Sequence, residues 1–141
     1  MLKKIRDVLW IIKNKTIGIL GLSFKSNTDD IRNAPSLDII RALQLEGANI
    51  KVYDPSSMEK ARKVLNNVKF CNDPYDVCRG CDCLLIITEW DEFKELDFSR
   101  VKRLLKRPLI VDGRNIYEPE LMEKSGFTYV GIGRVNSRKN S

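Results

Sequence analysis

The chain has 141 residues, which is enough for one domain that buries about 68% of the surface its unfolded form exposes. Its composition, 43% apolar and 31% charged, excludes a disordered or fibrous protein. The net charge of +6 suits phosphate-bearing small molecules at least as well as nucleic acid, and we expect no nucleic-acid partner because no aromatic residues are interleaved with the basic ones. Histidine is absent, so the commonest general base and metal ligand is excluded.

Residues 1–14 are predicted to form an amphipathic helix that leads into the first strand. Ile5, Val8, Leu9 and Ile12 fall on one helical stripe. The apolar stretch is too short to span a membrane and lacks a cleavage site, so we expect neither an anchor nor a signal peptide. Its apolar face needs a partner, which is either the domain's own sheet or another domain or subunit.

Apolar runs and helical spacings alternate along the rest of the chain. This alternation predicts an α/β fold with a doubly wound, mainly parallel sheet and helices on both faces. The polar end, residues 135–141, is expected to be frayed. The predicted strands are 16–20, 49–53, 68–71, 83–87, 109–111 and 127–130. The first predicted helix of this part begins after Ser36 and ends before Gly47. The second starts near Met58 and turns Ala61, Val64 and Leu65 inward. Three more are predicted at 74–78, 98–105 and 119–125.

The four cysteines are predicted to be reduced thiols of a cytoplasmic protein, because no export signal precedes them. Cys78, Cys81 and Cys83 have the spacing C-x2-C-x-C, which invites a metal interpretation. The second pair that a zinc site needs is missing, and Cys83 opens a buried strand. We therefore expect no metal site.

In an open parallel sheet, ligands bind at the carboxyl ends of the strands. The loop at 21–32 follows the first strand and lacks the dinucleotide fingerprint GxGxxG. It offers Lys25 and Arg32 as positive charges, together with backbone N–H groups that can face an anion. The alternative is a local turn in which Asp29, Asp30 and Arg32 form ion pairs that merely precede the helix.

Two further loops reach the same edge. In residues 112–115, Gly113 permits a tight turn that aims Arg114 across the top of the sheet, where it could clamp a phosphate or ribose. The alternative is a surface arginine paired with Asp112. The loop at 88–93 carries two aromatic residues and three acids, which either contact a sugar or base or simply cover the sheet end.

Five ordered strings in this sequence resemble one known family, the UDP-glucose/GDP-mannose dehydrogenases. They are GLSFKSNTDDIRNAPS at 21–36, YDP at 53–55, TEW at 88–90, DGRN at 112–115 and GIGR at 131–134. The resemblance covers residues 15–134 and is to the C-terminal, UDP-binding domain, which is Rossmann-like. In that family a long central helix precedes this domain, which would correspond to residues 1–14.

The resemblance implies a role for four residues. Phe24 and Lys25 match a pair that contacts the nucleotide sugar, and Arg114 matches an arginine on the same ligand. Arg32 matches an arginine that reaches the NAD held by another domain. With a diphosphate to bind, Lys25 and Arg114 are expected to be ligand contacts rather than partners in local ion pairs.

The family's Gly-rich NAD domain and its catalytic cysteine and lysine have no counterpart here. The implied function is therefore the UDP-sugar-binding part of an NAD-dependent dehydrogenase, with no catalytic residue in this chain and no activity alone. The other hypothesis is a non-catalytic assembly module whose N-terminal helix pairs with a second copy or with a separately encoded NAD-domain partner. The sequence does not specify the sugar.

Overall fold

The computed structural model describes residues 1–132 and contains one six-stranded sheet. Every neighbouring pair of strands is parallel, and the order is β3-β2-β1-β4-β5-β6. The strands are β1 Thr16–Leu20, β2 Asn49–Tyr53, β3 Val68–Phe70, β4 Cys83–Ile86, β5 Leu109–Asp112 and β6 Thr128–Gly131. This order is that of a doubly wound dinucleotide-binding fold, so the predicted fold class is confirmed.

Both faces of the sheet are covered, because side chains on the central strands alternate between two buried clusters. On β4, for example, Cys83 and Leu85 face one cluster, whereas Leu84 and Ile86 face the other. The helices are α1 Leu2–Leu9, α2 Pro35–Leu45, α3 Met58–Arg62, α4 Pro74–Cys78, α5 Asp91–Lys94, α6 Phe98–Leu104 and α7 Pro119–Lys124. No helix within residues 1–132 has the length and apolar character that crossing a bilayer requires.

The N-terminal helix packs on the domain's own core. Ile5, Leu9 and Ile12 are buried in the same cluster as α2, which settles how the predicted apolar stripe is covered. The helix ends earlier than predicted, at Leu9, because Trp10 takes a left-handed backbone with φ 65°. A homodimer through this stripe would have to uncover these buried side chains, and pairing through the N-terminal helix stays a prediction.

Two sequence expectations about helices need correction, and a third is confirmed. The helix after β2 ends at Arg62, so Val64 lies outside it and is 42% exposed rather than inward. The short α5 was not predicted, because its sequence looked like part of a loop. The predicted stop at Gly47 is confirmed, since φ there is +91°, a conformation that glycine adopts without strain.

The strand order reverses direction between β1 and β4, and this is where open α/β sheets form a crevice for ligands. The loops after β1, β2, β4 and β5 all begin at this carboxyl edge. The last two residues of the string at 131–134, and the tail at 135–141, lie outside the described residues.

Candidate functional site at the carboxyl edge

The loop after β1 begins with a close contact between two backbones. Gly21 has φ +99°, and a side-chain carbon built there would lie 2.5 Å from the backbone nitrogen of Thr88. Gly21 N–H donates to Tyr53 O at 2.9 Å, so the loop leaves the sheet beside β2. Only glycine allows this approach, which brings the loops after β1 and β4 together at the crevice.

The side chains of Phe24 and Lys25 point away from the core at the rim of this crevice. The Phe24 side chain is 55% exposed although it is a large apolar ring. The Lys25 ammonium forms no ion pair with any residue among the described 132. The local ion-pair alternative therefore does not involve Lys25, whose charge is available to a ligand.

Arg114 lies at the same edge and is paired with a carboxylate that the sequence reasoning did not select. Its guanidinium donates to Glu89 Oε1 at 2.9 Å, so the loops after β4 and β5 are joined across the edge. Asp112 instead accepts the Arg114 backbone N–H, also at 2.9 Å. An anionic ligand would have to compete with Glu89 for this arginine.

The turn that presents Arg114 differs from the predicted one. Gly113 does not have a positive φ; that conformation belongs to Asn115, at 55°. Gly113 is required for another reason, since a side-chain carbon there would lie 2.9 Å from the backbone oxygen of Ile86. The glycine thus allows close approach of β4 rather than a left-handed turn.

Arg32 is a surface residue in the local turn that the sequence analysis kept as an alternative. Its guanidinium binds Asp30 at 2.9 Å, and its backbone N–H donates to the same carboxylate. Asp29 does not join this pair but binds Lys60 at 3.1 Å. The Arg32 side chain is 86% exposed, so it faces outward from the domain.

The Asp30 carboxyl should report directly on this pair. The hydrogen bond from the Arg32 side chain, followed by the one from its backbone N–H, lowers the Asp30 pKa to about 2. We expect Arg32→Ala to raise this pKa toward 3.8, the ordinary value for aspartate, as followed by NMR of the carboxyl carbon. In the native chain the pair therefore persists at neutral pH and opens only as the pH falls through about 2.

Lys60→Ala is the matched control for that titration, because Lys60 is the smallest of the contributions to the Asp30 pKa. It should leave the Asp30 pKa almost unchanged. An equal rise in both variants would mean that general charge, rather than the hydrogen bonds from Arg32, controls this carboxyl.

Aromatic residues complete the rim. Trp90 is half-buried and donates its indole N–H to Asp54 at 3.3 Å, whereas Phe93 is fully buried beneath it. The hydroxyl of Tyr53 donates to Glu92, and burial, with the Glu92 carboxylate, raises the pKa of Tyr53. Phe93 thus covers the sheet end as one alternative had it, while Trp90 stays partly exposed at the rim.

All four cysteines are free thiols inside the domain. Burial raises the pKa of Cys78 and of Cys81 to about 12, and it raises those of Cys71 and Cys83 as well. Within the described residues, no group of three potential ligands is placed to hold a metal ion. These thiols have neither the exposure nor the thiolate character of a nucleophile.

We expect an aromatic disulfide reagent at about pH 8 to modify none of the four thiols within minutes in the native protein, and all four after denaturation in guanidinium. Two causes act together: the thiols are buried, and their raised pKa values leave almost no thiolate. One fast-reacting thiol in the native protein would contradict the burial described here.

Two surface cavities lie away from the carboxyl edge. One of about 730 Å³ borders α6, and one of about 260 Å³ lies near the start of β5. Neither cavity is lined by Phe24, Lys25, Arg32 or Arg114, the ligand contacts that the resemblance implies.

The comparisons with known proteins bear on the family and the fold of this chain. Residues 18–119 match the UDP-glucose/GDP-mannose dehydrogenase family, UDP binding domain. UDP-glucose 6-dehydrogenase of Rhizobium meliloti is 48% identical over 123 residues, which is 87% of this chain and 28% of that protein. The corresponding enzyme TuaD of Bacillus subtilis is 45% identical over 132 residues, or 93% of this chain and 29% of that protein.

A solved structure gives the same result. A UDP-glucose dehydrogenase from Pyrobaculum islandicum superimposes with a TM-score of 0.80 at 30% identity, and the match covers 95% of this chain and 29% of that one. The chain thus spans less than a third of the length of the relatives that it matches.

Proposed function

The chain belongs to the UDP-glucose/GDP-mannose dehydrogenase family, as its UDP-binding domain, and on that premise we propose that it binds a UDP-sugar of the UDP-glucose type. Phe24, Lys25 and Arg114 are the proposed contacts. The single observation that carries this assignment is the exposed Lys25 ammonium beside the β1–β4 crevice, which has no ion-pair partner within residues 1–132. Lysine and arginine at such an edge are the groups that neutralise a diphosphate.

Arg32 is the proposed contact to NAD in the complete enzyme. Its outward-facing side chain fits a ligand held mainly by another domain, and the loop has no GxGxxG fingerprint with which to hold a dinucleotide itself. NAD would supply the hydride acceptor for sugar oxidation. By themselves these 141 residues are proposed to bind the nucleotide sugar without turnover, in the cytoplasm, as the partner of an NAD-binding domain.

Titration with UDP-glucose, followed by calorimetry or NMR, tests the proposal. We expect saturable binding to the wild type and about tenfold weaker binding to Lys25→Gln, the loss of one charge-assisted contact. Lys124→Gln is the matched control, because it removes the same charge far from the proposed site. Lys124 ends α7 shortly before β6 begins, so it lies near the amino edge of the sheet, opposite to the carboxyl edge. No interaction at millimolar UDP-glucose would contradict standalone binding.

Glu89→Gln should change the affinity in the opposite direction. This substitution removes the carboxylate that holds the Arg114 guanidinium, so the arginine becomes available to the diphosphate. We expect tighter binding of UDP-glucose than in the wild type. A weaker affinity would mean that Glu89 itself supports the ligand.

A second candidate function, an assembly module, is favoured by one observation. Trp10 and Ile11 are large apolar side chains that are 87% and 66% exposed just after α1. Replacing both with serine leaves the buried residues of α1 in place. If this pair mediates self-association, sizing should show a smaller mass for the double variant than for the wild type; equal masses exclude this route.

A further inference from the structure

The buried carboxylate of Asp54 connects three loops at the carboxyl edge. It is the first residue after β2 and only 1% exposed. One oxygen, Oδ2, accepts the backbone N–H of Leu22 at 2.8 Å and the indole N–H of Trp90 at 3.3 Å. The other, Oδ1, accepts the backbone N–H groups of Ser56 and Ser57, each at 2.8 Å. Asp54 forms no ion pair with the described residues, so its role is to hold backbone and indole donors.

Ser23 transmits this arrangement to Lys25. It is fully buried, its backbone N–H donates to Asp54 at 3.3 Å, and its backbone oxygen accepts the Thr88 hydroxyl at 2.7 Å. Its own hydroxyl lies 2.7 Å from Lys25 O and 3.4 Å from Asp54 Oδ2. A hydroxyl has one hydrogen, and the shorter distance assigns it to Lys25 O. The backbone of Lys25 is therefore anchored in the core, although its side chain is in solvent.

We propose that Asp54 and Ser23 are positioning residues that act through the backbone of Lys25 to pre-organise the nucleotide-sugar site; this inference rests on the proposed function. A loop without such an anchor would have to be ordered when the ligand binds, and that ordering would weaken the affinity. Neither residue needs to touch the ligand. Both positions were quoted within the family strings in the sequence analysis but neither was given a role, although Asp54 stands directly at the end of a predicted strand.

Asp82 offers a control for general effects of burial. It too is a buried aspartate that accepts a backbone N–H, that of Thr16 at 2.9 Å, but Thr16 begins β1 at the opposite edge of the sheet. Its replacement by asparagine changes a buried side chain at the edge opposite to the loop at 21–32. Effects shared by Ser23→Ala and Asp82→Asn are therefore structural, and effects confined to Ser23→Ala belong to the loop.

The first measurement needs no ligand. We expect the ¹⁵N relaxation order parameters of the Phe24 and Lys25 amides to be about 0.85 in the wild type and below about 0.6 in Ser23→Ala. Asp82→Asn should leave both values unchanged. Unchanged order at these two amides in a folded Ser23→Ala chain overturns the inference, whether or not UDP binds.

The second measurement is a double-mutant cycle with UDP as the probe. We expect Ser23→Ala to weaken the affinity for UDP about tenfold when it is the only substitution. In a chain that already carries Lys25→Gln, it should have almost no further effect on this affinity. Losses that multiply in the double variant mean that Ser23 does not act through Lys25, which overturns the inference. Failure of the wild type to bind UDP counts against the proposed function alone, because the order parameters still decide the positioning role.

Discussion

Gly21→Ala should lower the free energy of unfolding by about 3 kcal/mol or more, as measured by urea denaturation. Two costs add. The backbone of Gly21 has φ +99°, which a residue with a side chain adopts only under strain. The new methyl would also lie 2.5 Å from the backbone nitrogen and the Cβ of Thr88, neither of which is the free end of a flexible side chain. The loops after β1 and β4 would have to separate.

Gly80→Ala is the matched control for this prediction. Gly80 has a similar positive φ of +76°, but no heavy atom lies within 4 Å of the position its side chain would occupy. We expect a loss of only about 1 kcal/mol, the cost of the backbone conformation. Equal losses in the two variants would show that the Gly21–Thr88 contact relaxes without cost.

Asp112→Asn should lower the free energy of unfolding by about 3 kcal/mol, although the side chain keeps its volume. The Asp112 carboxylate is fully buried at the end of β5. Its Oδ2 accepts the backbone N–H groups of Ile116 and Tyr117 and, at 2.6 Å, the hydroxyl of Tyr129, while Oδ1 accepts the Arg114 N–H. An amide presents only one acceptor oxygen, so buried donors lose their partner whichever way it turns.

Asp82→Asn serves as the control here as well, because Asp82 accepts a bond from Thr16 N–H that an amide oxygen can still accept. Its loss should stay within about 1 kcal/mol. If Asp112→Asn is equally mild, the turn at 112–117 does not depend on the carboxylate. Since this turn presents Arg114, the variant should also weaken UDP-glucose binding.

The fold was predictable to a large extent because its signals are local. The limits of β1 and β2 agree at both ends with the predicted strands. An apolar, β-branched run bounded by polar turns can be recognised within a short stretch of sequence. Helix limits were less predictable. Val64 continued the apolar spacing of α3, yet the helix ends at Arg62, because helices this short depend on packing rather than propensity.

The site was predictable as a set of loops but not as a set of contacts. The exposed cations Lys25 and Arg114 were identified from their positions after strands, and whether they touch a ligand stays a prediction. Glu89 was not identified as the partner of Arg114, because the two residues are 25 positions apart and meet only when β4 and β5 lie side by side.

The sequence by itself determined the α/β class, the family and which loops carry charge, because periodicity and ordered motifs are properties of short segments. Only the tertiary structure decided that the N-terminal stripe is covered by its own sheet and that Gly113 serves close approach. It alone showed that Asp54, Ser23 and Thr88 anchor the loop at 21–32. These are contacts between residues distant in the chain, and strand order creates them.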